Sequence, residues 1–198
     1  MLVACAVRSP EAPLQVPPAP ETIAAAASVR LFREVLRFRI TGATVEGLGF
    51  YYFHNDDAVA RAFPAAFSFI VAAWQGPPRR LQFMRVSADE NEDLPFVWLE
   101  KNYPLTNLFI PPGEDCCLRV GWEQEVSQGR FVYRFKRQPP WNPDREHVRL
   151  TLLVPDDFRD VRTNFPVSYR FNSETQQALV FVRDDFVPTE DYVVSWKR

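Results

Sequence analysis

From residue 29 onward, apolar and polar residues alternate along much of this chain with a period of two. In the first such stretch Phe32, Leu36, Phe38 and Ile40 fall on one face, and Arg33, Arg37 and Arg39 on the other. Successive side chains of a strand point to opposite sides of a sheet, so the pattern predicts a strand with one dry and one wet face. Thr41-Gly42-Ala43 predicts a turn and Thr44 to His54 a second strand, together forming a hairpin. Gly47 and Gly49 share a face of that strand and leave space for a large neighbouring side chain to cover. Asn55-Asp56-Asp57 ends it with turn chemistry. A helix of one or two turns is the expectation over Asp57 to Ala62.

The same pattern predicts further strands at Phe63 to Val71, Leu81 to Val86, Phe96 to Leu99, Leu105 to Ile110 and Cys116 to Val126. After these come Phe131 to Phe135, Val148 to Val154, Val167 to Phe171, Leu179 to Val182 and Tyr192 to Trp196. Proline- or aspartate-rich segments separate them, and the acidic stretch Asp89 to Asp93 reads as a loop. Roughly ten to twelve short strands without amphipathic helices predict an all-β fold, an antiparallel β-sandwich of immunoglobulin-like or related type. Residues 28–198 are expected to form one domain; two lobes, 29–126 and 127–198, are the alternative division.

Composition agrees. Aromatic residues make up 14% of the chain, with 17 Phe, and they suit a pleated, half-buried surface. The formal net charge of -2 lacks the basic excess that nucleic-acid binding draws on. No Gly-rich phosphate-cradling motif occurs, and no apolar run reaches the roughly 18 residues of a membrane-spanning helix.

Residues 1–27 differ from the rest. Pro10, Pro13, Pro17, Pro18 and Pro20 lie in a stretch with few large apolar side chains, which predicts a disordered, extended tether. At its start stands Leu2-Val3-Ala4-Cys5. This resembles the lipobox of bacterial lipoproteins, although the basic and apolar regions that precede a lipobox are missing from the sequence. The resemblance implies lipidation of Cys5, export, and retention at the cell envelope, with contact to the membrane through the lipid anchor alone. The segments Ala43-Thr44-Val45-Glu46, Tyr52-Phe53-His54-Asn55 and Phe63-Pro64, with the final strand ending in Trp196, also resemble VIT-type and related envelope β-sandwiches. That likeness implies an interaction role.

Candidate chemistry is sparse. The chain has 2 His. His54 with Asn55, Asp56 and Asp57 offers polar groups of the kind that ligate a metal, yet a strand entering a turn accounts for all four. His147 sits beside Glu146 at a strand start. The carboxylate pairs Asp56/Asp57, Asp156/Asp157, Asp184/Asp185 and Glu190/Asp191 flank strand ends, where turn formation and solvation explain them; acid-and-base hydrolysis is the competing use. Cys116 and Cys117 are adjacent in one strand and so face opposite ways, poorly placed to bond each other. Arg33, Arg37, Arg39, Arg79, Arg80 and Arg85 read as a solvated face, partnered by acids of the Glu34 kind, with an anion-binding patch as the sharper reading. Trp141, stiffened by Pro139, Pro140 and Pro143, is the candidate ligand-binding residue; it either stacks on a sugar or peptide or folds back to plug the sandwich. No catalytic residue, metal ligand or cofactor is assigned. The expected function is a non-enzymatic structural or interaction module of the cell envelope with an envelope protein or glycan as partner. The alternative is a hydrolase or carbohydrate-binding domain acting on an envelope polymer.

Overall fold

The structure, a computed structural model, describes residues 28–135 and 145–197. Cys5, the tether and Trp141 lie outside the described residues. Fourteen strands occur among those described. The first half holds β1 (Val29–Thr41), β2 (Thr44–Asn55), β3 (Arg61–Ala66), β4 (Arg79–Val86), β5 (Asn91–Leu94), β6 (Phe96–Glu100), β7 (Tyr103–Ile110) and β8 (Asp115–Glu125). The second holds β9 (Arg130–Tyr133), β10 (Arg145–Pro155), β11 (Arg159–Thr163), β12 (Tyr169–Asn172), β13 (Gln176–Phe186) and β14 (Tyr192–Lys197).

Eight strands form one large sheet in the order β12-β13-β10-β1-β2-β8-β4-β5, and two three-stranded sheets, β11-β14-β9 and β3-β7-β6, accompany it. The fold is all-β, as expected, with more strands than the ten to twelve anticipated. It also departs from a purely antiparallel sandwich, because β1 and β10 pair in parallel, with Glu34 opposite Val148 and Phe38 opposite Leu152. Alternation reveals which face a residue takes but not the direction of the neighbouring strand. Through this pairing the large sheet draws strands from both halves of the chain.

Both small sheets cover the same face of the large one. Phe38 on β1 packs against Phe131 on β9 at 5.1 Å and Tyr192 on β14 at 6.1 Å. Phe53 on β2 meets Phe63 on β3 at 5.2 Å, and Phe67 meets Phe83 on β4 at 5.3 Å. The resulting core is strongly aromatic. Gly47 and Gly49 act as the sequence predicts. Trp122 lies over the first, so near that a Cβ would stand 2.2 Å from its ring, and Tyr51 covers the second.

Four local expectations change. A β-bulge between Leu31 and Arg33 shifts the register of β1 against β2, so Leu31 is the core residue and Phe32 turns to the open face, its ring 6.3 Å from that of Tyr52. Glu34, on the same alternating face as Leu36 and Phe38, is fully buried and accepts a hydrogen bond from the Tyr133 hydroxyl at 3.0 Å; it is no surface partner for the arginines. Residues Asp57 to Ala62 form no helix: bends lead into β3 at Arg61. Part of the acidic loop, Asn91–Leu94, pairs with β4 as an edge strand, and Arg159–Thr163, too polar to alternate visibly, pairs with β14.

Candidate functional site

The bare face of the large sheet follows from the alternation that builds the core. Every second residue of β1 beyond the bulge, of β2 and of β8 is buried, and the residues between them face out. The registers then fix outward rows across the strands. Arg39 stands opposite Glu46, which stands opposite Glu123; Arg37 is opposite Leu48, which is opposite Gly121; Phe50 is opposite Arg119. All of these but Phe50, together with Arg80, Gly47 and Trp122, line a shallow depression of about 340 Å³. Gly121 sits in its middle row, and a Cβ there would meet nothing within 4 Å.

The charges of this depression are unevenly paired. Arg80 donates to Glu123 at 2.7 Å, while Arg39 approaches Glu46 at 3.9 Å, beyond hydrogen-bond range. Arg39 Nε is buried without a hydrogen-bond partner. Arg119 reaches the sulfur of Met84 at 3.5 Å, and no acid pairs with Arg37 or Arg119 among the described residues. Of the basic face expected from sequence, the structure brings Arg37, Arg39 and Arg80 together. Arg33 lies further along, over the Tyr52 ring at 5.1 Å, Arg79 pairs with Glu125, and Arg85 approaches the inward Cys116. Arg119 was missed because its neighbours read simply as a strand; cross-strand register alone joins it to Arg37.

The other candidates separate. His54 Nδ1 is 2.7 Å from Asp115 and its Nε2 3.4 Å from Asp56, whose carboxylate also meets Arg30. Asn55 turns into the core, its amide donating to the carbonyls of Val59, Ile110 and Pro111. Asp57 instead accepts from Arg61 Nε at 2.9 Å. The four residues do not converge, and among the described residues no group of three or more His, Cys, Asp or Glu is placed to hold a metal ion. His147 hydrogen-bonds Asp184 at 2.7 Å, and Asp191 accepts the backbone N–H of Phe135 at 3.1 Å.

The Arg61 hydrogen bond holds the Asp57 carboxyl below the ordinary carboxylate value. A carboxyl depressed in the folded state stabilises the fold at pH above its unfolded value, near ~3.9, and that contribution is lost as pH falls through the folded value. We expect Arg61→Ala to return Asp57 to the ordinary range in a carboxyl-carbon NMR titration. An unmoved midpoint contradicts the pairing.

Cys116 is buried and Cys117 half-buried on the opposite side of β8, as adjacency predicts. Burial pushes the Cys117 thiol up to about 11, despite a hydrogen bond to Tyr52 that pulls it down. Such a thiol holds roughly 200-fold less thiolate at pH 8 than an ordinary one near 8.5. In a Cys5→Ser variant, alkylation of the native protein should be slower than that of free cysteine by about that factor and still rising above pH 10. Rapid labelling at pH 8 would contradict this environment.

No family model matches the chain, and no curated protein does. Solved structures do. The chain is similar to a Legionella pneumophila protein provisionally described as nutrient-binding, with 13% identity and a TM-score of 0.66 over 86% of this chain and 67% of that one. It is also similar to the M1 zinc metallopeptidase of Deinococcus radiodurans, with 10% identity and a TM-score of 0.55 over 85% of this chain. The chain spans 42% of the length of that metallopeptidase. At such identities the likeness shows the fold alone.

Proposed function

We propose that this chain is a non-enzymatic interaction module of the bacterial cell envelope, a β-sandwich of immunoglobulin-like or related type tethered through a lipid on Cys5. The observation that carries the interaction role is exposed apolar surface on the edge strand β12, where Phe171 is 60% and Tyr169 59% exposed and, two residues apart, they share one face. Large apolar side chains grouped in the open mark surfaces that other molecules cover. The fold likeness supports the reading. A related metallopeptidase structure is described as two-domain, and this chain matches 42% of it, a share that suits a sheet module working beside a separate catalytic unit. The hydrolase alternative needs a free carboxylate pair. Asp56 and Asp57 are engaged by Arg30 and Arg61 and Asp184 by His147, while Asp156 and Asp157 stand exposed on the turn after β10.

The test uses cells that make the protein from its own locus, grown with an alkyne-tagged palmitate. Label on the protein and its recovery with membranes, both lost in Cys5→Ala, is the expected result. An unlabelled wild-type protein in the soluble fraction contradicts the anchor. Cleavage of peptide or glycan reporters, abolished by Asp184→Asn, contradicts the non-enzymatic role.

A further inference from the structure

The depression on the open face of the large sheet has the makings of a ligand site, independent of the anchor and of the apolar surface on β12. Four arginines line it, Arg37, Arg39, Arg80 and Arg119, against two glutamates, Glu46 and Glu123. The lining therefore carries an excess of two positive charges. Glu123 engages Arg80, whereas the Arg39 Nε–H is a buried donor with nothing to donate to. An unpaired buried donor is costly and is normally satisfied by something that the site is built to receive. Gly121 keeps the middle row low, and Leu48 beside it is apolar.

We propose that this depression binds a phosphate monoester, with Arg37, Arg39 and Arg119 as its principal donors. The charge decides the class: an excess of two positive charges matches a dianionic phosphate better than a single carboxylate. Arg37 and Arg39 come from β1 and Arg119 from β8, two strands away, so donors approach from opposite sides, as a tetrahedral oxyanion requires. About 340 Å³ lies at the small end of ligand pockets, enough for a head group and a short apolar stem over Leu48. The source of the monoester is either a soluble small molecule or the head group of a lipid; the recognition chemistry is the same.

The experiment follows backbone amide and arginine Nε–Hε resonances while phenyl phosphate is titrated into the wild-type protein. Saturable shifts centred on Gly121 and the three arginines are expected. Arg37→Gln/Arg119→Gln should weaken binding more than about 10-fold, since each loses a hydrogen bond to a charged group. Gly121→Val supplies the decisive contrast. A Cβ meets nothing there, so the fold tolerates it, and every charge remains, yet the floor is raised and binding should fall comparably. Arg159→Gln/Arg170→Gln removes the same charge from exposed strands elsewhere and should leave binding unchanged. Co-sedimentation with phosphatidylcholine vesicles containing phosphatidic acid, lost in Gly121→Val, assigns the lipid source. Phenyl phosphate binding without vesicle retention assigns the soluble one. Shifts that never saturate, or that survive both Gly121→Val and the double arginine variant, overturn the proposal.

Discussion

Phe38→Ala is expected to destabilise the protein by about 3–5 kcal/mol in urea unfolding, while Phe32→Ala, six residues earlier in the same strand, costs less than about 1.5 kcal/mol. Phe38 is fully buried, and its ring stands 5.1 Å from both Phe131 and Tyr133, 6.0 Å from Trp122 and 6.1 Å from Tyr192. Truncation therefore removes transfer free energy and opens a cavity between the large sheet and β9 and β14, whose rigid rings cannot close it. Phe32 lies at the bulge on the open face and exchanges its contact with Tyr52 mostly for water. Equal losses at the two positions would mean that the bulge is absent and that plain alternation, with Phe32 in the core, is correct.

Gln75→Leu is expected to cost about 2–4 kcal/mol although it adds apolar bulk without losing much volume. Gln75 lies between β3 and β4, is 1% exposed, and acts as one more paired residue for β9. Its Oε1 accepts the Val132 N–H at 2.8 Å, and its Nε2 donates to the Val132 carbonyl at 2.9 Å and to Gln124 Oε1 at 3.2 Å. Gln124 in turn donates to the carbonyls of Ile70 and Gly76. The two amides thus tie a small sheet to β8 of the large one, and leucine strands buried backbone and side-chain groups with no partner, each costing about 1–3 kcal/mol. Amide hydrogen exchange at Val132 should accelerate more than at Phe38. Unchanged stability would place the β9 sheet's attachment elsewhere.

These two residues also show what a sequence makes legible. Phe38 belongs to an alternating run, and period-two patterning reports which face a residue takes, so the hairpin, β8, β10 and β14 were readable. Phe32 sits next to a bulge, which inserts one residue and reverses the faces before it; nothing in Leu31-Phe32-Arg33 marks it. Glu34 was assigned to the surface because it is charged, although it falls on the same alternating face as Leu36 and Phe38. Gln75 makes strand-like hydrogen bonds through its side chain, a role that propensity and period do not encode. The parallel pairing of β1 with β10 joins residues more than a hundred positions apart, and such register is settled by tertiary packing.

The candidate site follows the same division. Arg37 and Arg39 were visible as the wet face of one strand, but the depression exists because Gly121 and Arg119 arrive from β8 across β2. Nothing along the chain singles out Gly121, whose place in the depression depends on the strands beside it. Asp56/Asp57, Asp156/Asp157 and Glu190/Asp191 do flank strand ends, and Arg30 and Arg61 account for the first pair; Asp184/Asp185 lie instead inside β13, where His147 of β10 pairs with Asp184.

Reactivity of single cysteines along β8 tests most directly whether one face of the large sheet is packed and the other open to a ligand. In a background of Cys5→Ser, Cys116→Ala and Cys117→Ala, cysteine replaces each residue from Leu118 to Glu123 in turn, and the native protein is exposed to a maleimide. Labelling at Arg119, Gly121 and Glu123, with protection at Leu118, Val120 and Trp122 until denaturant is added, is the pattern this structure predicts. Labelling at the even-numbered positions, or protection at all six, would contradict it.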